Sequence, residues 1–264
     1  MIQEKITTLT FPYPGKRTKM VRVFVPAHEE GEKLPVIYMP DGQNLFDVES
    51  SGFGCWYTRE AIRDEFKATG KAAIIVGIHN DEGDIIRTND LGPASIGRIV
   101  YPPHLPESER TLYEPLGERF ADFVIHTVMP AVEAQFPVKT GRENTAFCGS
   151  SMGGLMTFFI TLSHPDLFCA GGALSPALLL YEPEDLKSWI EERSKGGVPF
   201  LYMYSGDGDE LEKMICVSTE YACDIMEKCY PKALFKKVIT PGEPHHERAW
   251  EPIFRDFLHI FLSE

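Results

Sequence analysis

Ala146-Phe147-Cys148-Gly149-Ser150-Ser151-Met152-Gly153-Gly154 is the stretch whose reading decides the fold. It contains G-x-S-x-G centred on Ser151. A short apolar run precedes it, and the apolar segment from Leu155 to Leu162 follows, which reads as strand, tight turn and helix. That context suits a nucleophilic serine for three reasons. A sharp turn pushes Ser151 Oγ beyond the sheet edge. Glycines on either side let neighbouring backbone approach without a Cβ clash. A helix beginning at Met152 aims free N–H groups at any oxyanion formed beside the serine. An ordinary Gly/Ser turn would carry the same letters, so the rest of the chain has to decide.

A serine nucleophile needs a base, and the base needs a carboxylate to hold it. The C-terminal third supplies both. Phe200 to Tyr204 reads as a buried strand running into Ser205-Gly206-Asp207-Gly208-Asp209-Glu210, a turn with three acids. Phe235 to Thr240 reads as another strand, ending in Pro241-Gly242-Glu243-Pro244-His245-His246-Glu247. An acid loop and a histidine loop therefore each follow a strand, where open α/β sheets place their ligand sites. Each feature also has a plain structural reading. Asp209 or Glu210 could cap the helix that begins near Leu211, and a histidine pair in a loop can simply be solvated. Taken together, in the order serine, acid, histidine, they favour a triad on an α/β-hydrolase fold.

The elements between these motifs agree. Ile6 to Phe11 and Met20 to Val25 read as an opening antiparallel pair, turning at Pro12 to Lys16. Strands follow at Val36 to Met39, Ala73 to Ile78, Thr145 to Gly149, Ala170 to Leu174, Phe200 to Tyr204 and Phe235 to Thr240. Helical patterns lie at Thr58 to Ala68 and Leu116 to Gln135. In the second, Phe120, Phe123, Val124, Val128 and Val132 mark one buried face. The alternation predicts a mostly parallel, doubly wound sheet with antiparallel N-terminal strands, in one domain over residues 1–264. From Asn80 to Arg110 the chain is rich in proline and glycine and has no clear period. A loop that long in a compact domain is usually functional or disordered. It is expected over Ser151, with Ile99 and Tyr101 as pocket walls and Leu178 to Tyr181 as a further one.

Composition narrows the partners. The net charge is −13, which argues against nucleic acid and against an anionic membrane surface. The N-terminus carries no apolar signal run, no segment is long and apolar enough to span a membrane, and a cytoplasmic location is the expectation. The cysteines are Cys55, Cys148, Cys169, Cys216, Cys223 and Cys229. They are expected to be reduced and buried, the last three at helical core spacing. No C-x-x-C or H-x-x-x-H pair occurs, so neither a metal nor another cofactor is expected.

The chain resembles the Putative esterase family of the α/β-hydrolase superfamily, which includes enterochelin, feruloyl and acetylxylan esterases, S-formylglutathione hydrolases and mycolyltransferases. The resemblance rests on Val36 to Asp47 (V-I-Y-M-P-D-G-Q-N-L-F-D), Ile75 to Ile78, Gly149 to Gly154 (G-S-S-M-G-G), His164 to Phe168 (H-P-D-L-F) and His245 to Trp250 (H-H-E-R-A-W). It implies roles residue by residue. Ser151 would be the nucleophile, and His245, five before Trp250, the base. Asp209, three beyond Gly206, would be the acid, with Asp207 and Glu210 as alternatives. The backbone N–H groups of Met152 and Gln43 would form the oxyanion hole. Asp41 and Gly42 of the D-G-Q loop would lie at the substrate, as would Trp56, which stands where relatives often carry a tryptophan, together with the loop residue Tyr101. Pro40 departs from the pattern, since many relatives have histidine there, and proline offers no N–H. The implied activity is serine carboxylic-ester hydrolysis, without cofactor, on small acylated compounds such as acyl sugars, hydroxycinnamoyl esters or siderophore-type esters. Acyl transfer, thioester hydrolysis, and a non-catalytic binding protein on the same fold are the rivals.

Overall fold

The computed structural model describes residues 1–81, 83–101 and 106–263. Its centre is one eight-stranded sheet of order β1-β2-β4-β3-β5-β6-β7-β8. The strands are β1 Lys5–Tyr13, β2 Arg17–Val25, β3 Val36–Pro40, β4 Ile74–Ile78, β5 Thr145–Ser150, β6 Ala170–Leu174, β7 Phe200–Gly206 and β8 Phe235–Thr240. The β1–β2 hairpin joins antiparallel, and β2 pairs antiparallel with β4. Every pairing from β4 through β8 is parallel. Each predicted strand is present, within a residue or two of its expected bounds except β2, which begins three residues earlier than expected.

The sheet is wound on both faces, and the side-chain alternation along the strands shows it. On β3, Tyr38 belongs to one core, while Ile37 and Met39 belong to the other. On β4, Ile74, Val76 and Ile78 face the first core and Ile75 the second. Helices α1 Thr58–Thr69 and α9 Glu247–Ser263 pack over the second face. The first face is covered by α4 Gly117–Phe123, α5 Met129–Gln135, α6 Met152–Ser163, α7 Pro183–Arg193 and α8 Glu210–Cys229. Helix α6 is apolar all round and buried from Met152 to Leu162, as expected for a helix with no solvent face. Its threonine hydroxyls, on Thr157 and Thr161, are satisfied by carbonyls four residues back.

Two segments differ from the sequence reading. The single helix expected from Leu116 to Gln135 is interrupted by a π turn over Val124–Val128, where the Met129 N–H donates to the Val124 carbonyl five residues back. Pro130 supplies the reason: it has no N–H for the carbonyl four residues back, and its ring crowds that carbonyl. All five residues of the expected buried stripe are buried nonetheless. The supposed loop after Asn80 contains helix α2 Asp84–Leu91 and the short helix α3 Glu107–Arg110. Of the cysteines, Cys55, Cys148, Cys216 and Cys223 are buried, but Cys169 is half-buried and Cys229 exposed.

Strand order reverses at β3. The chain passes from β3 to β4 on one side, then to β5 on the other. The C-terminal ends of β3 and β5 flank the crevice that this reversal opens, the usual ligand position in such sheets. The D-G-Q loop leaves β3 there, and Ser151 leaves β5.

Candidate active site

Ser151 is built as the sequence reading expects. It has φ 58° and ψ −123°, outside the comfortable range of a residue with a side chain. Such strain costs about 1–3 kcal/mol and persists only where the surroundings impose it. Here the Ser151 N–H donates to the Leu174 carbonyl on β6, and its carbonyl accepts from Leu155 and Ala177. Gly149 and Gly153 face the ring of Pro40, which a Cβ at either would approach to 2.9 and 2.8 Å. Pro40 thus packs the D-G-Q loop directly against the serine turn.

A cleft of about 340 Å³ opens over this turn. Ser150, Ser151, Gln43, Asp41, Asn44 and His245 all line it, with Arg87 and Asp84 from α2, Phe53, Leu211, Glu247 and Trp250. The structure therefore brings Ser151, His245 and Gln43 to one cavity. Met152 begins helix α6 next to the serine and is itself buried.

The carboxylate on the histidine is Glu212, not Asp209. Glu212 Oε2 lies 2.5 Å from His245 Nδ1. Its other oxygen accepts from Ser175 Oγ at 2.6 Å, Gly206 N at 2.7 Å and Ser205 Oγ at 2.8 Å. Glu212 has no exposed surface. Burial pushes its pKa up, yet the hydrogen bonds from His245, Ser175, Gly206 and Ser205 together outweigh that, and the pKa ends below the ordinary glutamate value. The group is therefore a carboxylate at neutral pH. Asp209 does something different. It is the N-cap of α8: Oδ1 accepts from the Glu212 N–H at 2.9 Å, and Oδ2 accepts from the His245 backbone N–H at 2.7 Å. It caps the helix that carries the acid and pins the loop that carries the histidine. Neither of the alternatives, Asp207 and Glu210, is on the imidazole. Asp207 Oδ1 accepts from the Gly242 N–H, and Glu210 pairs with Lys213 at the surface.

The acid carries a further support. Trp250 Nε1 donates to Ser175 Oγ at 2.9 Å, and the His245 ring sits edge-on to Trp250, centroids 4.9 Å apart. Ser175 is fully buried at φ 43°. The spacing from His245 to Trp250 thus has a physical meaning. One turn of α9 brings the indole under the imidazole and, through Ser175, onto the acid.

Other expected contacts fall elsewhere. Trp56 is a core residue, 2% exposed and packed on Trp250 and Phe254, and is not part of the cleft wall. Tyr101 sits against Tyr113 and the Arg110 guanidinium, away from the cleft lining. Ile99 bridges to Tyr181. With Leu180 and Tyr113 they line a separate small hollow. Gly42 does not face the cleft: a Cβ there would stand 2.4 Å from the Gly77 backbone, so glycine lets the loop rest on β4. The segment from Asn80 to Arg110 does line the cleft as expected, but through Asp84 and Arg87 of α2 and not through Ile99 and Tyr101. Among the described residues no group of three or more potential metal ligands occurs, and no helix is long and apolar enough to cross a membrane.

A parallel sheet wound on both faces, with a strained serine turn at the switch point, defines the α/β-hydrolase fold. Within that class the chain belongs to the Putative esterase family, whose model matches residues 14–215. It is similar to the endo-1,4-beta-xylanase/feruloyl esterase of Xylanibacter ruminicola, with 26% identity over 69% of this chain and 21% of that protein. It is also similar to the siderophore triacetylfusarinine C esterase of Aspergillus fumigatus, with 30% identity over 60% of this chain and 51% of that one. The match thus spans about a fifth of the first relative and about half of the second. Among solved structures, an IroE-like serine hydrolase from Shewanella oneidensis aligns with TM-score 0.73 at 20% identity, covering 98% of this chain and 80% of that one. Siderophore hydrolase EstB from Aspergillus nidulans aligns with TM-score 0.70 at 19% identity, covering 97% and 95%.

Proposed function

We propose that the protein is a serine carboxylic-ester hydrolase working through Ser151, His245 and Glu212. The observation that carries the reading is the placement of Glu212 on His245 Nδ1 at the cleft that Ser151 lines. A carboxylate on Nδ1 fixes the tautomer whose Nε2 is free to accept a proton. Ser151 Oγ attacks the acyl carbonyl and its proton passes to His245 Nε2. The carbonyl oxygen becomes an oxyanion held by the N–H groups of Met152 and Gln43, a contribution of about 10²–10³ per donor. The C–O bond to the alcohol breaks, and the leaving oxygen takes the proton from His245. Water then repeats the sequence on the acyl enzyme, releasing the acid and restoring Ser151.

The substrates are small acylated compounds. The family and the relatives' siderophore and feruloyl ester activities support that class. The open cleft, with Phe53 and Leu211 at its lips and acids on its walls, accommodates an apolar group beside a hydroxylated one. The free thiols of Cys55, Cys148, Cys216, Cys223 and Cys229 support a reducing, cytoplasmic setting.

The test combines a labelled fluorophosphonate with a turnover screen over p-nitrophenyl acyl esters, methyl hydroxycinnamates, acetylated sugars and a glutathione thioester. Labelling at Ser151 and ester turnover, both abolished in Ser151→Ala, are expected. No labelling and no turnover would overturn the reading. Product transfer to added alcohols in preference to water would make the protein an acyltransferase.

A further inference from the structure

The D-G-Q turn is held in an unfavourable conformation by a fork of hydrogen bonds from outside it. Asp41 has φ 56° and ψ 38°, the left-handed region that a residue with a Cβ avoids unless its surroundings impose it. Its carbonyl closes the turn by accepting from Asn44 N at 2.9 Å. Its carboxylate is engaged entirely by protein. Arg87 donates from Nε to Oδ1 at 2.7 Å and from Nη2 to Oδ2 at 2.9 Å, and Asn80 Nδ2 donates to Oδ1 as well. Asn80 also donates its backbone N–H to Gln43 Oε1 at 3.2 Å. So Asp41, although in the cleft wall, is not free to bind a ligand.

Arg87 is anchored in turn. It lies on α2, whose Asp90 is 1% exposed and accepts from Arg17 Nη1 and Nη2 and from Lys19 Nζ, each at 2.8 Å. These partners sit at and after the turn of the β1–β2 hairpin. Two sets of charge-assisted bonds, joined by the backbone of α2, therefore tie the hairpin to the turn that presents Gln43.

We propose that Arg87 is a positioning residue for the oxyanion hole: its fork on Asp41 holds residues 41–44 in the left-handed turn that presents the Gln43 N–H to the carbonyl at Ser151. The proposal rests on the esterase reading for its catalytic consequence, but the clamp itself is a property of the turn. A bidentate guanidinium–carboxylate pair fixes orientation as well as distance, which a point charge cannot. Without it, Asp41 relaxes toward an ordinary backbone conformation and the Gln43 N–H swings away.

The experiment has two independent readouts. In Arg87→Ala, kcat should fall about 10²-fold, the cost of one oxyanion donor, with KM changed less than about threefold. Arg87→Lys should recover only part of the loss. Asp41→Asn with Arg87→Ala should be no slower than the worse single variant, because both break one device. Amide hydrogen exchange over residues 41–44 should speed up at least tenfold in Arg87→Ala, with exchange in β5 and α6 unchanged. A raised KM with kcat retained would instead make Arg87 a substrate contact. Unchanged exchange over 41–44 would overturn the clamp. If wild-type protein turns over no ester and takes no fluorophosphonate, the esterase reading falls, and the exchange data still decide whether Arg87 holds the turn.

Discussion

Glu212 Oε2 and His245 Nδ1 lie 2.5 Å apart, joining the first turn of α8 to the loop after β8. The pair works because Glu212 stands at the third position of a capped helix. A side chain there normally reaches back to the cap's own N–H. Glu212 reaches further back, to Gly206 N, Ser205 and Ser175, and leaves one oxygen for the imidazole. The positive end of α8 favours its charge as well. Asp209 and Glu212 thus divide the work of a capping pair, one satisfying the helix and the other meeting the histidine.

Exchanging each of these acids separates their roles. Glu212→Gln offers an amide to Nδ1, favours the wrong tautomer and removes the charge that balances imidazolium. kcat should fall by about 10²–10⁴-fold. Asp209→Asn keeps an oxygen for the Glu212 N–H but loses an acceptor for the His245 N–H. It should cost about 1 kcal/mol of stability and less than about tenfold in kcat. Kinetics and melting curves on both variants decide. The opposite ranking would return the acid's role to Asp209.

The reason the sequence pointed to Asp209 is instructive. The strand, the glycine that ends it and the helix after it were all legible from apolar runs and turn residues. Those signals locate a carboxylate only to within one helical turn. Asp209-Glu210-Leu211-Glu212 reads as a capping box, and that pattern was the available clue: it assigns Asp209 to the helix and turns Glu212 back toward the strand end. The cleft positions of Ser151 and of the His245–His246 pair were legible because each follows a strand at a turn, while the choice of His245 rested on its spacing to Trp250 in the family resemblance. Arg87 was not legible, since the proline and glycine around α2 hid its short period. Trp56 was assigned to substrate by position, but its pairing with Trp250 across the second core is tertiary and leaves no local signature.

The two adjacent histidines should behave differently. His245 carries Glu212 on its ring, whereas His246 is exposed, and its Nδ1 accepts from the Arg248 N–H at 3.1 Å in the first turn of α9. His245→Ala should approach the loss seen in Ser151→Ala, roughly 10³-fold or more in kcat. His246→Ala should keep most of its turnover and lose a few tenths of a kcal/mol of stability. Equal losses in kcat would show that the imidazole at 245 does not act alone.

The hairpin anchor should dominate stability rather than chemistry. Lys19 and Asp90 are each 1% exposed and 2.8 Å apart. Burial raises the Asp90 pKa, but its bonds to Arg17 and Lys19 prevail and hold it below the ordinary aspartate value. Asp90→Ala leaves the buried Lys19 with the more distant Asp81, at 3.2 Å, and the face of the Tyr13 ring. A loss of about 3–5 kcal/mol is expected in denaturant unfolding. Lys19→Met should cost less, because the Arg17 fork still satisfies Asp90. Comparable losses in the two variants would show that Arg17 does not hold Asp90 by itself.

Glu247 gives a pH-dependent test of opposite sign to Glu212. It is 5% exposed, with Oε1 accepting from Asn44 Nδ2 at 3.1 Å and Oε2 3.9 Å from His246 Nδ1. Burial, reinforced by the charge of Asp41, raises its pKa above the ordinary 4.5. The folded state therefore keeps a proton that the unfolded chain has already released. Stability from this group is fully present below pH 4.5 and is lost as pH rises through the folded-state pKa. Glu247→Gln can still accept from Asn44 and has no charge to bury. It should be more stable than wild type at pH 7, because burial penalises the charged carboxylate that the glutamine lacks. The difference should shrink toward zero as pH falls to 4.5. Urea unfolding of both proteins between pH 4.5 and 8 measures it. A variant less stable than wild type at pH 7, or a difference that does not change with pH, would mean that the carboxylate at 247 is satisfied in its charged form.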